Sequence, residues 1–145
     1  MPTRGRGRPD VLVDTSVAVA LVVADHEFHG PTIEALGTRT LGLAGHAAFE
    51  TFSVLTRLPG PARRSASLVA HLIAANFPYS RFLSAERASL LIEELAASNI
   101  AGGSVYDALV GAAAEEHGLT LATRDRRALE TYRALGVAIE LLPDR

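Results

Sequence analysis

The sequence predicts a three-layer α/β/α domain with a mainly parallel central sheet. Short apolar runs of strand length at 11–13, 40–43, 79–83, 119–122 and 137–142 alternate with longer stretches whose apolar residues recur at helical spacing. Turn signals such as Pro59-Gly60-Pro61, Asn76-Phe77-Pro78 and Gly118 punctuate these segments. The 145 residues are 48% hydrophobic, with a mean hydropathy of +0.20 and neither internal repeat nor linker. That composition describes one soluble domain able to bury about two-thirds of its unfolded surface. Residues 11–145 are assigned to this domain, and residues 1–10 to a flexible Arg/Gly-rich N-terminal tail.

In order, Arg4, Arg6 and Arg8 alternate with glycines and end at Pro9, a composition that cannot pack. Arg6-Gly7-Arg8-Pro9 resembles the core of an AT-hook, a match too short to outweigh a plain tail. Val11-Leu12-Val13 is a buried strand that stops at Asp14 and turns into the helical pattern of Val17 to Val23. Asp25 and His26 open a loop, and Phe28 to Leu36 forms a second helix closed by Gly37, with Pro31 an alternative start. Thr40 to Leu43 is a strand; His46 to Leu58 is a helix with Phe49, Phe52, Val54 and Leu55 as its apolar face. A helix covers Ala62 to Ala75 and a short strand Tyr79 to Leu83. Ser84 caps a helix striped with Ala88, Leu91, Ile92 and Leu95. Ser104 to His117 is a helix whose Gly111-Ala112-Ala113-Ala114 allows close packing on the sheet. Leu119 to Ala122 is a strand, Thr123-Arg124-Asp125 leads into a helix ending near Leu135, and Val137 to Leu142 is the last strand.

Composition removes several chemistries. Cysteine is absent, which fits a reducing compartment and excludes thiolate catalysis, zinc fingers and iron–sulfur ligation. All 14 basic residues are arginine, so mechanisms that require a lysine are excluded. A net charge of -2 provides no global basic field, and any nucleic-acid partner must be held by local arginines. The basic tail followed by Val11 to Ala24 mimics a secretory signal, but Asp14 and Thr15 interrupt the apolar region and no span of membrane length follows. A cytoplasmic protein with no membrane contact is expected.

Four acids stand out by position: Asp14 after the first strand, Glu50 inside an apolar helix, Asp107 in a helix's first turn, and Asp125 after a later strand. Each has a structural explanation. Asp14 and Asp125 can cap helices, Asp107 completes a Ser-x-x-Asp capping box with Ser104, and Glu50 can pair with Arg57. Jointly, acids leaving neighbouring parallel strands would converge at the carboxyl edge of the sheet, where open α/β folds bind ligands. Converging carboxylates repel, so some must protonate or a cation must neutralise them. Oxygen-only donors select Mg²⁺ or Mn²⁺ over zinc or copper. Such an ion suits phosphodiester hydrolysis.

Leu12-Val13-Asp14-Thr15-Ser16, Glu50 within Ala48 to Leu55, Tyr106-Asp107-Ala108 and Leu121-Ala122-Thr123-Arg124-Asp125 together resemble the PIN-domain nucleases. The resemblance spans nearly everything after the tail and is closest to VapC-type toxins of bacterial toxin–antitoxin systems. It implies that Asp14, Glu50, Asp107 and Asp125 are a catalytic quartet binding Mg²⁺ or Mn²⁺, supported by the hydroxyls of Thr15, Ser16 and Thr123. It further implies a homodimer, endonucleolytic cleavage of structured RNA (tRNA or rRNA), and inhibition by a cognate antitoxin.

Arg124, Arg126 and Arg127 flank Asp125 and are candidates for holding RNA, as are Arg63 and Arg64; surface ion pairing is the alternative for each. His46 and His117 lie outside the acidic motifs and are read as ordinary surface or helix-end residues. A haloacid-dehalogenase-type phosphatase needs an acid where Ser16 stands and a lysine, and a receiver domain needs the same lysine. A degenerate PIN-like binding module, and a PIN nuclease acting on DNA or in RNA processing, remain as competing functions.

Overall fold

The computed structural model describes residues 8–145; Arg4 and the first half of the AT-hook-like stretch, Arg6-Gly7, lie outside the described residues. The folded body reaches back to Pro9, which is buried. Asp10 donates its N–H to the Thr40 carbonyl at 2.8 Å, and its carboxylate accepts the Thr40 N–H at 2.8 Å. This clamp to the chain entering the second strand draws Pro9 and Asp10 out of the expected tail.

Strands β1 (Val11–Val13), β2 (Leu41–Leu43), β3 (Leu121–Thr123) and β4 (Ile139–Leu141) form one parallel sheet in the order β2-β1-β3-β4. Val13 lies opposite Leu43 on one side and Ala122 on the other, and Thr123 lies opposite Leu141. Residues of β1, β2 and β3 are buried without alternation, as strands covered on both faces must be. Helices α1 (Thr15–Val22) and α2 (His29–Leu36) connect β1 to β2. Helices α3 (Ala47–Thr56), α4 (Ala66–Asn76), α5 (Ala85–Ala97) and α6 (Ser104–Glu116) lie between β2 and β3, and α7 (Leu129–Ala134) precedes β4. The predicted α/β/α architecture is the one observed. The helices gather as α1 with α2 and α3, α3 with α4, and α6 with α5 and α7. No helix among the described residues is long and apolar enough to cross a membrane.

Several elements differ from expectation for local reasons. The Tyr79 to Leu83 segment does run beside β2, with the Arg81 N–H donating to the Leu43 carbonyl at 3.0 Å. However, the Ser80 hydroxyl accepts the Leu43 N–H at 2.9 Å, and only an isolated bridge between Ala44 and Arg81 remains of the fifth strand. Helix α4 starts at Ala66 instead of Ala62, because Ser65 is its N-cap and Gly60–Ala62 forms a separate 3₁₀ turn. The last helix is likewise split, a 3₁₀ turn at Arg126–Ala128 preceding α7. Helix α3 buries Ala47, Thr51 and Leu55, a stripe at four-residue spacing that turns Phe49 and Phe52 outward instead of into the core. On α5, Leu91 and Leu95 are buried while Ile92 faces out.

Two close approaches constrain the packing. A Cβ at Gly111 would stand 3.0 Å from the Tyr132 ring, so the small-residue run of α6 lets α7 carry that tyrosine inward. A Cβ at Gly42 would stand 2.2 Å from the Tyr79 carbonyl oxygen. That neighbour is backbone and cannot rotate away. Gly42→Ala is therefore expected to cost about 3 kcal/mol or more, measured as a lower urea midpoint; a midpoint within experimental error of the parent would contradict the contact.

Candidate active site

Because β1 is central, the chain leaves it toward β2 on one side while β3 pairs on the other, which makes its carboxyl end the switch point of the sheet. Asp14 occupies that point, its N–H donating to the Ala122 carbonyl of β3 at 3.2 Å. As expected of a capping residue, its carboxylate accepts the Val17 N–H of α1 at 3.2 Å. It accepts more besides. Asp14 Oδ1 also takes the Ser16 hydroxyl, and Oδ2 takes the hydroxyls of Thr123 and Tyr132, the latter at 2.9 Å. Four donors thus meet the roughly four acceptor positions of a carboxylate.

Burial pushes the Asp14 carboxyl up, and the bonds from Ser16, Thr123, Tyr132 and Val17 pull the other way. The Tyr132 phenol is pushed far up, by burial first and then by the Asp14 charge, so it remains a proton donor.

The other acids arrive from separate elements. Asp14, Thr15, Ser16, Glu50, Asp107, Val110, Asp125 and Tyr132 line one cavity of about 130 Å³. Glu50 points there from α3, where its Oε1 accepts the Thr15 hydroxyl at 3.1 Å. The possible pair with Arg57 is not made; that guanidinium donates to the Ser53 hydroxyl at 3.0 Å. Asp107 comes from the first turn of α6, but no Ser104–Asp107 capping box forms, because Gly103 is the N-cap. Asp125 does cap, accepting the Arg127 N–H at 3.0 Å at the start of the 3₁₀ turn. The hydroxyls link these pieces. Ser16 Oγ accepts the Arg124 N–H at 2.9 Å, and Thr123 Oγ1 accepts the Asp125 N–H at 3.0 Å. Thr15, Ser16 and Thr123 therefore each connect an acid to a neighbouring strand or helix.

Asp107 records the electrostatics of this grouping. Its carboxyl is pushed up to about 6, first by desolvation, then by Asp125, Glu50 and Asp14, with Arg127 opposing. A cluster short of positive charge, built only from oxygen donors, fits a hard divalent cation. Among the described residues, no three acids or imidazoles are yet drawn around one point, and an ion reaching Asp14 must share or displace one of its donors.

The arginines separate. Arg127 is 95% exposed, with its Nε 3.6 Å from Asp125, and Arg126 is also exposed. The Arg124 side chain is only 4% exposed: its Nε donates to Thr32 Oγ1 at 2.7 Å, Nη2 to the Pro143 carbonyl at 2.8 Å, and the group lies over the Phe28 ring. Arg124 thus ties α2 to the C-terminal segment. Arg63 and Arg64 donate to the backbone carbonyls of Leu58 and Ala62 and do not line the acidic cavity.

Tyr132 was not legible in the sequence, because a tyrosine in a short late helix carries no motif and meets Asp14 across 118 positions. His117 is the helix-end residue expected, its Nε2 paired with the Phe82 carbonyl at 2.9 Å. His46 is likewise a helix-end residue, the N-cap of α3, with its ring stacked on Tyr106.

An Asp whose folded value is raised stabilises the fold fully below its unfolded value of 3.8, and loses that contribution as pH rises through about 6. In EDTA at pH 7.5, Asp107→Asn is expected to melt roughly 2–4 °C above the parent, equivalent to about 1 kcal/mol after solvent screening. The gain should shrink toward zero near pH 4. Equal melting temperatures at both pH values would show that Asp107 does not feel its neighbours.

A family model of the PIN domain matches residues 11–134, the span from β1 through α7. Ribonuclease VapC27 of Mycobacterium tuberculosis is 44% identical over 132 residues, covering 91% of this chain and 96% of that protein. Ribonuclease VapC40 of the same species is 45% identical over 131 residues, covering 89% and 96%. Among solved structures, FitAB bound to the IR36 DNA fragment superimposes with a TM-score of 0.62 at 17% identity, covering 90% of this chain and 94% of that one. FitAcB from Neisseria gonorrhoeae gives 0.60 at 19% identity, covering 89% and 95%. The structural likeness carries the fold, and the sequence likeness carries the lineage: the chain belongs to the PIN-domain family, in its VapC branch.

Proposed function

We propose that the protein is an Mg²⁺- or Mn²⁺-dependent endoribonuclease, the toxin of a toxin–antitoxin pair, cutting structured RNA of the tRNA or rRNA kind. The observation that carries this reading is the acidic cavity itself. Four carboxylates from four separate elements face one space, and Asp107 is pushed up to about 6 with its neighbours' charges among the causes. A folded protein tolerates that repulsion where the cluster has a use for it. The naming of the VapC relatives as ribonucleases supports RNA as the substrate.

Asp14, Glu50, Asp107 and Asp125 would hold the cation, which when bound supplies an activated water and neutralises charge developing on the phosphodiester. The chain's own groups do the positioning. Ser16, Thr123, Tyr132 and the Val17 N–H fix the plane of Asp14, and Thr15 orients Glu50. Arg127 and Arg126, exposed beside Asp125, would hold RNA phosphates, whereas Arg124 acts by keeping the Asp125 loop in place. Arg63 and Arg64 would touch RNA only beyond the cavity. A homodimer acting in the cytoplasm and silenced by a cognate antitoxin completes the proposal. A short reading frame for a DNA-binding antitoxin directly upstream is its simplest genomic correlate.

Incubating the protein with total cellular RNA in Mg²⁺ or Mn²⁺, and mapping new 5′ ends, is expected to yield a few discrete cuts that EDTA removes. Asp14→Asn and Asp107→Asn should each lower the rate at least about 100-fold while keeping the parent's circular dichroism. Undiminished cleavage by both variants would overturn the site assignment. Absence of cleavage by folded, metal-loaded parent protein would overturn the ribonuclease reading.

A further inference from the structure

Beside the acidic cavity lies a larger cleft of about 420 Å³, within the size range of small-ligand sites. Thr15 and Glu50 form a wall common to both. The cleft continues along α3 past His46 and Phe49 to Arg57, about two helical turns away. Its aromatic side is unusually open. Phe49, which lines it, is 64% exposed, and Tyr106 and Phe82, outside the lining but packed against His46 and Phe49, are 53% and 49% exposed, although a large apolar ring is normally covered. The rings are mutually arranged: His46 stacks on Tyr106 with centroids 5.4 Å apart and planes 27° apart, and Phe49 meets Phe82 at 6.1 Å. At the far end, Arg57 touches only the Ser53 hydroxyl and has no carboxylate partner among the described residues.

We propose that this cleft is a stacking subsite for one unpaired nucleotide of the RNA, next to the phosphate that is cut, with its base on the Phe49 and His46–Tyr106 rings and a neighbouring phosphate on Arg57. The inference rests on the ribonuclease reading above. Three features select a nucleotide. A base needs an exposed π-face, which these rings present without demanding a particular sequence. The adjoining phosphate needs a planar cation free of acids, which Arg57 supplies. The strand must also pass directly to the carboxylates, and the shared Thr15 and Glu50 wall sets the two spaces side by side. A purely apolar protein partner fits less well, because it would strip water from Glu50 and Arg57, and interface cores are depleted in charge. Duplex RNA fits less well too, since its bases are already stacked on one another.

The test uses the full-length protein in the Asp14→Asn background, so that the probe stays intact in Mg²⁺. The probe is a 12-nucleotide single-stranded RNA carrying 2-aminopurine. Binding should quench the fluorophore, and the same sequence as a duplex should bind without that change. Phe49→Leu and Tyr106→Leu keep an apolar side chain but remove the π-face. Each should abolish the quench and weaken binding roughly 5- to 100-fold, the value of one base–aromatic stack. Arg57→Gln should lower the salt dependence of binding by about one phosphate contact. Ile92→Ser, outside the cleft, should change nothing. Unchanged affinity and quenching in both leucine variants would overturn the subsite. So would a fall from dimer to monomer on sedimentation in those variants with RNA affinity per chain retained, which would make the face a contact between copies of the chain. Cleavage by Asp14-containing protein is read separately. Intact metal-dependent cleavage without stacking defeats the subsite alone, and stacking without any cleavage defeats the ribonuclease reading alone.

Discussion

A carboxylate held in the interior by four donors is the constraint on which the rest of this structure depends. Asp14 is 4% exposed at the carboxyl end of β1. A carboxyl there costs several kcal/mol unless it is hydrogen-bonded. The donors come from α1 (Ser16, Val17), the last residue of β3 (Thr123) and α7 (Tyr132), so Asp14 joins elements that are distant in sequence. The parallel pairing of β1 with β3 brings Thr123 within reach, and the absence of a side chain at Gly111 leaves room for the Tyr132 ring. Sheet register and helix packing are thus both visible at a single side chain.

Around this point the molecule concentrates negative charge, contrary to what stability alone favours. Desolvation and three like neighbours lift Asp107, while the cation that opposes them, Arg127, is almost wholly exposed and correspondingly screened. The fold offsets the repulsion elsewhere, through a sheet whose central strands are buried on both faces and through local clamps. Arg124 is one such clamp, joining α2, the loop after β3 and the C-terminal segment through its backbone and guanidinium. One of the two arginines adjacent to Asp125 in sequence therefore acts through architecture, and the exposed Arg126 and Arg127 are left to face solvent.

Capping and cavity lining also coincide in the same groups. Asp14 and Asp125 both cap, as their positions allow, and both line the cavity. Capping fixes the orientation of each carboxylate, and at Asp14 it also takes one of the acceptor positions that an ion would need. Asp107 and Glu50 behave differently: the local partners available to them, Ser104 and Arg57, are not used. A carboxylate that declines its nearest neighbour and faces other acids is more informative than one that caps.

The sequence alone determined the alternation of strands and helices, the parallel sheet, the four acids and the hydroxyls beside them. These follow from short-range signals: apolar runs, Gly and Pro punctuation, and polar residues placed where strands end. It misplaced what depends on competition between partners. Ser80 took the N–H that a fifth strand needed, Ser65 reset the start of α4, and the Ala47–Thr51–Leu55 stripe turned Phe49 and Phe52 outward. Only the tertiary structure decided that Tyr132 belongs to Asp14, that Arg124 is buried, and that the aromatic cleft opens beside Glu50. Each joins residues far apart in the chain, and no local periodicity carries the distance between two elements that meet only after the sheet has formed.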